Sequence, residues 1–279
     1  MTHRDLAQKR VELWRLRPDL APNDEKEIRE FIKLAGFCYT YHIPKDAIPS
    51  LIQTISGTVT SNTWNTYPQQ NDPYQEMLNE TFRTYHKQKL FVEVGVFGKH
   101  PVIVYRDVFA RLYRIIGSDV RGGYLSRRKR NTQLENAILS FLQDKGAATR
   151  KELRLSVTKP RKKDGNELSK ALDSLARQLK IIRIRQGNVI DLQWITPEHW
   201  NPQLCEEAVT LDRDEAIEFL ILRFVKTAIA TSRKALKRFF KHIIPSEFLD
   251  LTLNSLIQRG LVVVDPELII DGKRALKTR

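Results

Sequence analysis

Apolar residues recur at three- and four-residue spacing through Leu134, Ile138, Leu139 and Leu142, which predicts a helix over Thr132 to Lys145. Asn131 or Thr132 can cap its start, and Gly146 can end it. A shorter helix is expected from Thr149 to Val157, with Thr149 as N-cap and with Leu153 and Val157 turned inward. A third, from about Asn166 to Lys180, gathers Leu168, Ala171, Leu172, Leu175 and Leu179 on one face. The period then falls to two. Ile181 to Arg185 alternates apolar and basic residues, Gln186-Gly187-Asn188 turns the chain, and Val189 to Trp194 returns. Three helices closed by a hairpin predict a winged helix over residues 132–195.

The same plan is expected again over residues 212–272. Asp212 caps a helix carrying Ala216, Ile217, Phe219, Leu220 and Phe224, and Thr231-Ser232 caps a second with Ala235, Leu236, Phe239 and Phe240 inward. Pro245-Ser246 starts a third, and Leu261 to Val264 with Leu268 to Ile270 closes the unit as a hairpin. Residues 1–120 read as an N-terminal helical domain with small β elements, interrupted at 58–74 by a long polar loop. Residues 121–131 read as a basic linker and 273–279 as a basic tail. The fold class is mainly α with short β-hairpins, an α+β chain of tandem winged-helix domains.

Charge sharpens this picture. The chain carries 47 Lys and Arg against 33 Asp and Glu, a formal charge of +14 over 279 residues. Residues 1–120 hold 16 cations and 14 anions, whereas residues 121–279 hold 31 and 19. The excess therefore lies with the helical units, as an electrostatic footprint for nucleic acid would. No apolar run approaches the roughly 18 residues of a membrane span, and the polar start Met1-Thr2-His3-Arg4-Asp5 lacks a signal-peptide core. A cytoplasmic protein is expected, associated with the nucleoid if prokaryotic. Cys38 and Cys205 lie far apart, and the six histidines form no ligand spacing, so neither a metal nor a cofactor is expected.

The order of motifs resembles a known family. Phe31-Ile32-Lys33-Leu34-Ala35-Gly36-Phe37-Cys38 is followed by Pro49-Ser50-Leu51, Gly57 and Trp64, then by the Leu90 to Ile116 region and two winged-helix-like units. This is similar to the AlkZ-type (YcaQ-like) winged-helix DNA glycosylase family, as a divergent short relative. The resemblance implies a concave basic DNA channel and excision of alkylated or cross-linked bases, with a Gln-x-Asp or Gln-x-Gln pair and no cofactor. Such a pair would stabilise positive charge on the sugar and position water. Gln53-Thr54-Ile55 offers the amide but carries Ile at the partner position, and Gln70-Asn71-Asp72 has the spacing within the long loop. The catalytic candidates are Gln53 and Asp72.

The candidate DNA contacts are Arg127, Arg128, Lys129 and Arg130 in the linker, and Arg161, Lys162 and Lys163 between the second and third helices. Lys170 and Arg177 on the third helix join them, as do Arg233, Lys234, Lys237 and Arg238 in the last unit. The expected partner is double-stranded DNA, with no membrane. Three functions remain open at this point: a tandem winged-helix DNA-binding protein acting on damaged DNA, a DNA glycosylase, and a winged-helix scaffold for protein partners.

Overall fold

The computed structural model describes residues 3–43, 47–59, 73–98, 100–117, 131–157, 164–185, 192–265 and 268–271. The chain opens with α1 (His3–Leu13) and then builds a first unit from α2 (Glu25–Ala35), β1 (Phe37–Tyr39), α3 (Leu51–Ser56), α4 (Pro73–Lys87), β2 (Phe91–Val94) and β3 (Val102–Tyr105). The helix α5 (Arg106–Ile116) follows. A second unit comprises α6 (Gln133–Lys145), β4 (Ala147–Thr149), α7 (Arg150–Val157), α8 (Asp164–Arg177), β5 (Ile182–Arg185) and β6 (Leu192–Ile195). Two connecting helices, α9 (Pro197–Trp200) and α10 (Pro202–Thr210), lead into a third unit. Its elements are α11 (Arg213–Ala228), β7 (Ala230–Thr231), α12 (Arg233–Phe240), α13 (Ser246–Gln258), β8 (Val262–Asp265) and β9 (Leu268–Asp271).

Each unit has the element order of a winged helix, and the strand order is the same in all three: the first strand pairs the last, which pairs the middle one. The fold is thus tandem winged helices, mainly helical with short antiparallel hairpins. The sequence shows this plan twice; the structure shows it a third time, within the first 105 residues. Local chemistry sets the helix starts. The Asp24 carboxylate accepts from the Glu27 amide at 2.8 Å. Thr132 and Glu135 cap each other reciprocally. Asp212 and Ser232 accept from Glu215 and Ala235.

The first two units share one sheet. β2 of the first lies antiparallel to β5 of the second through Glu93 opposite Arg183, which joins six strands in the order β1-β3-β2-β5-β6-β4. That sheet has a core on each face in the first unit. Cys38, Phe91 and Ile103 point to one core with Ile28, Ile32, Leu51 and Phe82. Phe37, Val92, Val94, Val102 and Val104 point to another, which runs on through α5 and α10 to α11, α12 and α13. Each fully buried Val, Leu, Ile or Phe contributes roughly 1.5–3 kcal/mol. Gly95 lets the first hairpin approach α8, since a Cβ there would stand 2.9 Å from Ala176 Cβ. A smaller core, with Ile138, Leu142, Leu153, Leu168 and Leu175, holds the second unit.

The third unit is attached differently. Its sheet, β7-β9-β8, stands alone. Side chains dock it onto the start of the chain. Arg223 of α11 donates to the Lys33 and Leu34 carbonyls at 3.2 Å and to Asp107 at 2.9 Å. Thr227 donates to the Ala35 carbonyl, while Trp14 Nε1 donates to the Thr227 carbonyl at 2.9 Å. Arg10 donates to the Ala228 and Ala230 carbonyls.

Candidate nucleic-acid interface

In the second unit the helix-turn-helix pair α7–α8 buries Leu153, Leu168, Leu172 and Leu175 in the unit's core and leaves its charges outward. Leu153 is the fully buried residue of α7. Around it Arg150, Lys151 and Arg154 are exposed, and Lys170 and Arg177 are exposed on α8. Arg150 Nη2 donates to Ser169 Oγ at 2.5 Å, which sets the two helices' charged faces side by side. Glu152, the acid within this run, is turned toward the helix start. Its carboxylate accepts from Lys145 at 2.6 Å and from the Thr149 amide at 2.7 Å. Those bonds, Lys145 first, pull the Glu152 carboxyl down to about 2.

Sequence reasoning missed Arg150, Lys151 and Arg154. The signal was present: three cations surround one apolar residue in a short helix, a solvated face on the element that in a helix-turn-helix crosses the DNA backbone. Arg177 also reaches toward the third unit. Burial lowers the His242 pKa, and the charges of Lys241 and Arg177 lower it further. The end of α8 and the turn after α12 therefore present positive charge to a common region.

The third unit uses its cations otherwise. Arg233, Lys234 and Arg238 are exposed on α12, and Lys237 is half-buried. Asp250 on α13 accepts from Lys237 at 2.6 Å and from Arg233 at 3.0 Å. These two bonds, Lys237 first, pull the Asp250 carboxyl down. Two of the four expected DNA contacts are therefore engaged by an acid of their own unit. Arg127, Arg128, Lys129, Arg130, Arg161, Lys162 and Lys163 lie outside the described residues, as does Asp72.

Gln53 is 3% exposed within α3, a helix buried through most of its length. Its Nε2 donates to the Val59 carbonyl at 3.2 Å. The carboxylate that the fold does bury is Glu93, which accepts from Thr40 Oγ1 at 2.8 Å and from Arg185 Nε and Nη2 at 2.9 and 3.1 Å. Burial pushes its carboxyl up, but the Arg185 charge and hydrogen bonds outweigh this, and the net shift is downward. His86 Nδ1 lies 2.7 Å from the Arg185 amide and 3.0 Å from the Arg185 carbonyl, and its Nε2 is buried with no hydrogen-bond partner among the described residues. Desolvation pushes His86 down to about 4. This knot ties β2, α4 and the end of β5, from which the second unit's wing departs. Its charge is internally compensated, so it positions rather than reacts. Among the described residues no cluster of His, Cys, Asp or Glu could hold a metal ion, and no helix is long and apolar enough to cross a membrane.

Comparison with known proteins places this arrangement. No curated protein matches the chain. Among solved structures, the DNA glycosylase AlkZ of Streptomyces sahachiroi is similar at a TM-score of 0.59 and 12% identity, covering 97% of this chain and 71% of that one. At that identity the likeness is one of fold. The family described as DNA glycosylase AlkZ-like matches residues 100–275, from β3 of the first unit through the whole of the second and third. The chain belongs to the AlkZ-like DNA glycosylase family.

Proposed function

We propose that this protein binds double-stranded DNA in the cytoplasm and excises damaged bases from it, as a glycosylase of its family. The observation that supports the reading most is that the matched region contains the exposed cations of α7 and α8 on a helix-turn-helix frame. Cations on that frame neutralise backbone phosphates and set register on the duplex. Hydrolysis of an N-glycosidic bond then needs groups that stabilise positive charge on the sugar and hold a water. Gln53 and Asp72 are the proposed pair, with Gln53 brought to the surface by rearrangement of the segment it now binds at Val59.

A second reading has its own support. Gln53 is buried and occupied, and Glu93 is neutralised by Arg185. Both observations favour a protein that binds damaged DNA without cleaving the glycosidic bond. Incubating the protein with an alkylated duplex and measuring released base separates the two. Release that Gln53→Ala abolishes supports excision. Salt-dependent binding without release supports the second reading, and salt-independent binding, or none, overturns both.

A further inference from the structure

A cavity of about 160 Å³ opens where the first and third units meet. The first unit contributes Tyr39 from the end of β1 and Phe97 and His100 from its hairpin; the third contributes Ala235, Arg238 and Phe239 from α12. Tyr39, Phe97 and Phe239 are buried at 7%, 8% and 9% exposure, so they form a floor with only an edge or face to solvent. That floor is stiff. Phe97 and Phe239 stack at 4.3 Å between ring centroids. Phe37 braces both edge-on at 5.6 Å. The rim is of another kind: Arg238 is exposed and His100 half-buried.

An aromatic floor accepts a flat ring, and a guanidinium beside an imidazole accepts an anion. A nucleotide carries both in one residue. Sites of this kind lie at junctions between units, where two elements can supply different chemistry. We propose that this cavity receives one unstacked nucleotide of bound DNA, its base on the Tyr39–Phe97–Phe239 floor and an adjoining phosphate at Arg238 and His100. No carboxylate stands among its described lining residues, so the cavity holds a base and leaves bond cleavage to other groups. The inference rests on the DNA-binding reading. It adds that the third unit contributes α12 to a nucleotide site rather than to a groove-reading face.

The probe is a short duplex with one G·T mismatch and 2-aminopurine next to the mismatched thymine. When the thymine leaves the stack its neighbour brightens, and a mismatched base costs least to extrude. The wild-type protein should raise that fluorescence by roughly twofold or more. Ala235→Phe, which fills the cavity from its half-buried rim, should abolish the rise while duplex binding by anisotropy persists. Arg238→Gln should weaken the rise and the affinity together. Binding without a rise in the wild type, or a rise that survives Ala235→Phe, overturns the cavity assignment and leaves DNA binding standing. Absence of duplex binding at low salt overturns the DNA-binding reading, and the cavity assignment falls with it. Circular dichroism of each variant confirms that it is folded, and Ala235→Ser supplies a second, milder variant that should retain the rise.

Discussion

The two junctions of this molecule are built in opposite ways. The first and second units share hydrogen-bonded strands and a buried Glu93–Arg185 pair. The third unit has its own sheet but shares the first unit's core, where Phe37 packs on Phe224, Phe239 and Phe240, and Arg10, Trp14, Arg223 and Thr227 add hydrogen bonds to backbone carbonyls across the seam. A shared sheet leaves little freedom of register, because slipping one strand would turn every side chain to the wrong face. Apolar packing fixes no register, but opening it exposes buried core, whereas each hydrogen bond across the seam is modest by itself. The contrast is between backbone pairing, which fixes register, and a shared apolar core, which holds the third unit to the first without fixing register.

The largest expected effect tests the backbone-paired side of that contrast. Glu93→Ala leaves the Arg185 guanidinium buried and unpaired, which should cost about 3–5 kcal/mol in denaturant unfolding. Replacing both residues by Met should recover most of the loss, because the uncompensated charge is gone. A loss below about 1 kcal/mol for Glu93→Ala would mean that water reaches the pair and that the junction is not sealed.

His86 gives the next effect and carries a sign. Its folded pKa, about 4, lies below the ordinary 6.5, with desolvation the main cause. The unfolded chain therefore takes up the proton first as pH falls. The contribution is fully present above pH 6.5 and is lost progressively toward pH 4, by up to about 3 kcal/mol. His86→Gln should remove that part of the slope. If stability instead stays flat from pH 6.5 to 4 in the wild type, His86 is solvated and the knot around Arg185 is open.

The side-chain junction should respond more weakly and more locally. Arg223→Ala removes donors to Lys33, Leu34 and Asp107 and should cost about 1–2 kcal/mol. The loss should show in hydrogen exchange as faster opening of α11 and of the C-terminal end of α2, with β2 and β3 still protected. Equal acceleration in all four would merge the two junctions into one cooperative body.

Much of this architecture is legible in the sequence, for physical reasons that also mark where it stops. Helix starts at Thr132, Asp212 and Ser232 are local chemistry within three or four residues, and they read directly. The strands Ala147–Thr149 and Ala230–Thr231 are two or three residues long and exist only by pairing with hairpins that arrive much later in the chain. The first unit's plan is hidden for a different reason. Phe91-Val92-Glu93-Val94 is buried on both faces, so it shows no alternation, and a long polar segment separates α3 from α4. In the candidate site, Lys170 and Arg177 follow from helical periodicity. The engagement of Arg233 and Lys237 does not, because Asp250 lies on the next helix. Arg185 reads as one more cation of an alternating strand until Glu93 is found beneath it.

The smallest effect on stability bears most on function, and it sets the second unit's cations against the third's. Lys151, Arg154 and Lys170 are exposed on α7 and α8, whereas Arg233 and Lys237 are drawn into the Asp250 network. Each phosphate neutralised releases counterions and adds roughly 0.9 to the slope of log affinity against log salt. The triple change of Lys151, Arg154 and Lys170 to Ala should flatten that slope by up to about three units on duplex DNA. Unfolding free energy should move by no more than about 0.5 kcal/mol, because exposed positions carry little packing. The double change of Arg233 and Lys237 to Ala should flatten the slope by less than about one unit, since both cations already have an anionic partner and would have to leave it to meet phosphate. The two variants measured side by side, with filter or anisotropy titrations at several salt concentrations, make the contrast sharp. A triple variant with the wild-type slope would show that α7 and α8 are merely solvated and would move the DNA to another face. A double variant that flattens the slope as much as the triple would show that DNA displaces Asp250, and the third unit would then contact the backbone as directly as the second.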